Sequence, residues 1–212
     1  MDDAALSEVI RGAQRGEAAA FDRLIDCFGS RVAGFLYRMT GSRQDSEDLV
    51  QEVFLRVVRM LPAYRHDGRF EPWLFRIAAN LARDRIRRTR RLRNHAGEGD
   101  SASRTPDQSL GGAARLSELE SAVEDVDARL VHQEEMDALN AALQEMPEAE
   151  REVVMLRHFS QLSFKEISEV TGIPLGTALA RSHRGLARLR EWLTDEGRSR
   201  RAAAGRKAMS GG

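Results

Sequence analysis

Apolar residues that return every three or four positions, and prolines that fall only where those runs end, leave this chain one class of fold. Phe21, Leu24, Ile25, Phe28, Val32, Phe35, Leu36 and Met39 form one such stripe, and Leu49, Val50, Val53, Phe54, Val57, Val58 and Leu61 form the next. Trp73, Leu74, Ile77, Ala78 and Leu81 make a third. Proline cannot continue a helix from within, so its position is a stop or a start signal. Pro62 closes the second stripe, Pro72 sits where the third begins, and Pro106, Pro147 and Pro174 fall at further boundaries or in linker. No run alternates with the period of a strand. The spacing therefore predicts an all-α chain.

The stripes divide into two modules. From about 94 to 112 the chain reads NHAGEGDSASRTPDQSLGG, too poor in large apolar side chains to build a core, and suits a flexible connector. Beyond it Leu116, Leu119, Val123, Val126 and Leu130 keep a helical spacing among acidic residues, which predicts an acidic amphipathic helix or a short coiled coil. The boundaries expected are 1–93 for a first helical domain, 94–133 for an acidic linker, 134–195 for a second helical domain and 196–212 for a disordered tail.

Charge and chemistry exclude several classes. The chain has 33 basic and 33 acidic residues, so its sum is zero, but the signs are segregated. The start MDDAALSEVI lacks the basic, then apolar, pattern of a signal peptide, and no stretch approaches the length of a membrane span, which predicts a cytoplasmic protein without membrane insertion. Cys27 is the single cysteine and is expected to be a small buried hydrophobe on a helix. His66, His95, His132, His158 and His183 show no paired ligand spacing. No metal, cofactor or catalytic residue is expected, because the serines and histidines form no nucleophile or ligand motif.

Segregation points to nucleic acid. Between 76 and 93 the arginines at 76, 83, 85, 87, 88, 90, 91 and 93 face one acid, Asp84. Arg76, Asn80, Arg83 and Arg87 are spaced 4, 3 and 4, which puts them along one helix face while Trp73, Leu74, Ile77 and Leu81 turn inward. Guanidinium forks suit phosphate and guanine edges, and the asparagine amide suits a base. Tyr64, Phe70 and Trp73 stand close enough to stack on an unpaired base, although for Trp73 a core anchor is the favoured reading. A solvated basic face is the plainer alternative, against which the arginine density weighs.

The second module has the grammar of a helix-turn-helix. Ser163 and Glu166 have the spacing of a capping box, and Phe164, Ile167 and Val170 give the helix after them a buried side. Gly172 can end that helix in the left-handed conformation, and Pro174 suits the start of another. Thr177, Arg181, Arg184 and Arg188 are then the outward candidates on the second helix.

These residues together resemble a family. DSEDLVQEVFLRV (45–57) and FEPWLFRIAANLARDRIRR (70–88) look like region two of bacterial extracytoplasmic-function sigma factors of the sigma-70 family, and the run from Met146 to Leu193 is similar to their region four. The resemblance implies a subunit without chemistry of its own that binds the clamp and flap regions of core RNA polymerase and directs it to promoter DNA. It implies polymerase contacts at Asp48, Leu49, Gln51, Glu52 and Leu55. Arg69, Phe70 and Asn80, beside Arg76, Arg83, Arg87 and Arg88, fall where the family reads the minus-ten element and captures a flipped base. Region four would take the minus-35 element as duplex through Thr177, Arg181, Arg184 and Arg188, and an anti-sigma factor would be a further partner.

The chain also departs from the family pattern. A usual GTVKSR-like run stands here as GTALAR, and Ser182 replaces a usual leucine. Ala178 and Ser182 occupy positions that normally pack inward, while Leu175, Leu179, Leu186 and Leu189 offer a rotated apolar stripe, so the phase of the last helix stays open. The acidic stretch from Glu118 to Asp137 would either weaken DNA binding by the free protein or occupy a basic nucleic-acid path in polymerase. The rival readings are a stand-alone helix-turn-helix regulator, which the region-two-like half opposes, and a helical protein that binds sigma or anti-sigma partners.

Overall fold

A computed structural model describes residues 3–96 and 126–194, with side chains over 3–92 and 136–194, and every regular element among them is helical. The helices are α1 (Asp3–Gln14), α2 (Ala18–Thr40), α3 (Arg43–Met60), α4 (Phe70–Ala96), α5 (Val126–Glu145), α6 (Glu148–His158), α7 (Phe164–Thr171) and α8 (Leu175–Leu193), with one 3-10 turn at Leu61–Ala63. Most of the expected linker, the leucine positions from Leu116 to Val123 and the tail lie outside the described residues.

Local chemistry places the breaks. Gly41 ends α2 at φ 69°, donating its N–H to the Tyr37 carbonyl, and Ser42 caps α3 by accepting from the Asp45 N–H. Pro62 falls in the 3-10 turn after α3. α4 begins at Phe70, two residues before Pro72, so the proline sits in the first turn, where its missing N–H costs nothing. The capping box is present: the Ser163 hydroxyl accepts from the Glu166 N–H while the Glu166 carboxylate accepts from the Ser163 N–H. Gly172 takes φ 73° and donates to the Ser168 carbonyl.

In the N-terminal half Leu24, Phe28, Phe35 and Met39 of α2 meet Leu49, Val53 and Val57 of α3 and Leu74, Phe75 and Leu81 of α4. Phe35 and Phe75 stand edge to face at 5.6 Å. Val9, Ile10 and Ala13 of α1 close the same core, a helix that the apolar stripes did not announce. Three expectations are corrected. Ile25 and Val58, assigned to stripes, are each 45% exposed. Cys27 is exposed rather than buried, because the inward line of α2 runs through Leu24, Phe28 and Val32 and leaves position 27 off it.

The C-terminal half resolves the phase of α8. Its buried residues are Ala178, Ser182 and Gly185, so the small side chains face inward and Leu175 and Leu179 do not. Close approach is the reason: a Cβ on Gly185 would lie 2.7 Å from Val154 Cγ2 and 3.3 Å from Met146 Sδ. Leucine at these positions would hold α8 away from α6.

The two halves share one hydrophobic core. Phe159 sets its ring into a notch at Gly34, where a Cβ would lie 2.5 Å from the ring, and the Arg38 guanidinium covers that ring at 4.6 Å. The Arg31 fork donates to both oxygens of Glu71 at 3.0 Å and to the Ser160 carbonyl at 3.1 Å. The Gln144 amide donates to the Arg38 carbonyl at 2.9 Å.

Two pairs of variants test this packing. Gly185→Val should cost about 1–3 kcal/mol in urea unfolding through overpacking, whereas Gly176→Ala, with nothing near its added carbon, should fall between neutral and about 1 kcal/mol stabilising. Gly34→Val should displace Phe159 and raise the radius of gyration in small-angle X-ray scattering, while Gly29→Ala, whose added carbon meets only its own helix neighbour Ile25 at 3.6 Å, should leave it unchanged.

Candidate nucleic-acid interface

The loop before α4 is held from three sides. From α1 the Gln14 amide donates to the Leu61 carbonyl at 3.0 Å and the Tyr64 carbonyl at 2.7 Å. Tyr64 packs on Trp73 at 4.6 Å between centroids, and Phe70 sits 5.5 Å from Trp73 and 5.3 Å from Phe28. Burial, helped by the negative charge of Asp67, pushes the Tyr64 phenol up to about 12, so it stays protonated at neutral pH. Trp73 packs against the core, as an anchor should.

Phe70 corrects the sequence reading. It is 1% exposed, with its ring enclosed by Phe28, Tyr64 and Trp73, and it has no free face on which a base could stack. A core helix start and a stacking platform are the same residue type, and only packing tells them apart.

On α4 the expected face divides. Arg76, Asn80, Arg87 and Arg88 are exposed. Arg83 is turned aside, its Nη2 donating to the Asn80 side chain and its Nε forming an ion pair at 3.2 Å with Glu152 of α6. Arg85, between them, is structural: it reaches Asp45 at 2.6 Å and Asp48 at 3.9 Å and so ties α4 to α3. Arg69, exposed in the loop, pairs with Glu169 of α7. Two of the guanidinium groups singled out from the sequence are thus neutralised by carboxylates of the other half of the chain.

The helix-turn-helix presents its own pattern. Arg181 and Thr177 are half-buried, and Arg184 and Arg188 are exposed but lean on one buried carboxylate, with Arg184 Nε and Arg188 Nε each 3.1 Å from an oxygen of Glu150. On α3, Asp48, Gln51 and Leu55 are exposed and Glu52 pairs with Arg56 at 2.7 Å. Leu49 is 2% exposed and belongs to the core, which corrects its expected place on a partner surface. The exposure of Ile25, Val58 and Met60 had no signal in the sequence, because apolar spacing cannot say which side of a stripe loses its cover.

The comparisons with known proteins then decide the family. Residues 24–92 match the model for sigma-70 region 2, and residues 136–189 match that for sigma-70 region 4. The RNA polymerase sigma factor CarQ of Myxococcus xanthus is 38% identical over 178 residues, covering 84% of this chain and 91% of the relative. The chain belongs to the ECF RNA polymerase sigma factors. It is a promoter-directing sigma factor, with region two in α2–α4 and region four in α5–α8. The ECF sigma factor SigW of Bacillus subtilis is 29% identical over 88% of this chain and 95% of its own. The structure of CnrH in complex with the cytosolic domain of CnrY aligns with 87% of this chain and 94% of that one at TM-score 0.58 and 25% identity. No described helix is long and apolar enough to cross a membrane.

One carboxylate between the regions carries a pH signature. Burial pushes the Glu152 carboxyl above its ordinary range, and Arg83 opposes this only in part. The folded chain therefore keeps that proton to higher pH than the unfolded chain does, and this group's contribution to stability falls as pH rises from the ordinary carboxylate range through the raised value. Glu152→Gln should remove that fall: its urea midpoint at pH 7 should exceed that of the native chain, and the gap should close on acidification.

Proposed function

We propose that this chain docks on core RNA polymerase through the exposed face of α3 at Asp48, Gln51, Glu52 and Leu55 and reads promoter DNA at two places. The loop at Arg69, the α4 face of Arg76, Asn80, Arg83 and Arg87, and Arg88 to one side of that face hold the minus-ten strand. Phosphate contacts from the arginines fix its register, and the Asn80 amide supplies base preference. The α7–α8 helix-turn-helix takes the minus-35 element as duplex, with Arg181, Arg184 and Arg188 beside the groove. The observation that carries the reading is the exposed Arg76, Asn80 and Arg87 on α4 in the same chain as a capped helix-turn-helix.

The Arg69–Glu169 and Arg83–Glu152 pairs join the two reading sites to each other, so a strand laid on α4 has to displace both carboxylates. The chain works in the cytoplasm without cofactor or reaction of its own, and an anti-sigma factor is a further partner; the sigma factor RpoE of Bartonella quintana, which shares the fold, is bound to the anti-sigma factor NepR.

Transcription in vitro tests this reading. The full chain with bacterial core polymerase on a randomised promoter library should give starts that share two spaced elements and vanish without the chain. Asn80→Ala should relax preference within the downstream element, and Arg76→Ala should weaken all promoters evenly and lower the salt slope of binding by about 1. Failure to bind core would end the reading.

A further inference from the structure

The outward surface of α8 is built differently on its two sides. Spacings of three and four residues put Leu175 and Leu179 on one flank and Thr177, Arg181 and Arg188 on the other. Between them, facing away from the buried Ala178, Ser182 and Gly185, lie Gly176, Ala180, His183 and Ala187, all exposed. Leu175 is 48% exposed and Leu179 46%, and both belong to the N-terminal half of the helix, the part that meets base edges in a helix-turn-helix.

On this outer line the only hydrogen-bonding side chain is His183, in the middle of the helix, and at the N-terminal end the Thr177 hydroxyl lies on the arginine flank. Gly176 and Ala180 carry none, so they allow the helix to seat deeply without reading anything themselves. Arg184 and Arg188 are engaged by Glu150 at the C-terminal half. What the reading end offers instead is hydrocarbon. In the major groove the apolar group on a base edge is the C5-methyl of thymine.

We propose that region four selects its duplex by methyl contact, with Leu175 and Leu179 packing on thymine C5-methyl groups of the upstream element while the arginine flank meets phosphate. The division of charge fits a groove of this kind, with an apolar wall against the base edges and a cationic wall toward the backbone. The proposal rests on the reading of region four as the duplex-binding part and adds what it recognises.

Deoxyuridine tests it, because it pairs as thymidine does and lacks only the methyl. Holoenzyme assembled from the full chain and core polymerase is bound to a promoter fragment selected from the randomised library, with thymidine replaced by deoxyuridine in the upstream element alone. The expected loss is about fourfold in affinity for each methyl that was buried, the worth of one apolar carbon. Leu179→Ala or Leu175→Ala, exposed positions that do not disturb the core, should bind the two fragments with a smaller difference. Equal binding of thymidine and deoxyuridine fragments by the native chain, while scrambling the upstream element still abolishes binding, would overturn the proposal and leave the duplex-binding reading intact. Undiminished discrimination in both leucine variants would also overturn it. If scrambling has no effect, region four does not read this duplex and the proposal falls with that reading.

Discussion

The guanidinium of Arg31 sits where three parts of the molecule meet. One fork spans both oxygens of Glu71 at the start of α4, and the same group reaches the Ser160 carbonyl beyond α6. Charge-assisted, two-pronged bonds fix orientation as well as distance. The start of α4 and the turn into the helix-turn-helix are therefore referenced to the same point on α2. Phe159, inserted beside Gly34 and covered by Arg38, fills the adjoining space with an apolar contact that only a glycine admits.

From that junction the two proposed DNA-binding sites follow. α4 carries its arginines outward because Leu74, Phe75, Ala78 and Leu81 are drawn inward, and its loop is held by Gln14 from below and by the Tyr64, Phe70 and Trp73 rings from within. α8 is seated against α6 by the absence of a side chain at Gly185. The regions contact each other through Arg69 with Glu169 and Arg83 with Glu152, so two guanidiniums proposed for DNA are neutralised here by protein. Burying the Glu152 carboxylate costs desolvation, which its pairing with Arg83 offsets only in part.

Much of this was legible in the residues. The boundaries at Pro62, Pro72, Pro147 and Pro174, the Ser163 and Glu166 box and the left-handed Gly172 are local matters, settled within a turn or two of chain, and each appears in the structure where its pattern put it. The family motifs lie in continuous stretches, and the matches at 24–92 and 136–189 fall on them. α1 was not announced, because its inward residues, Val9, Ile10 and Ala13, make too short a stripe to stand out.

The sequence by itself determined the all-α class, the two regions, the concentration of arginine on one helix and the grammar of the helix-turn-helix, because each depends on neighbours three or four residues apart. Only the tertiary structure decided that Phe70 and Leu49 are core, that Cys27, Leu175 and Leu179 are exposed, and which guanidiniums find carboxylates. A residue's type states what it can bind, but burial and pairing depend on what packs against it. Glu169 lies 100 residues from Arg69 along the chain, a separation across which no local pattern carries information.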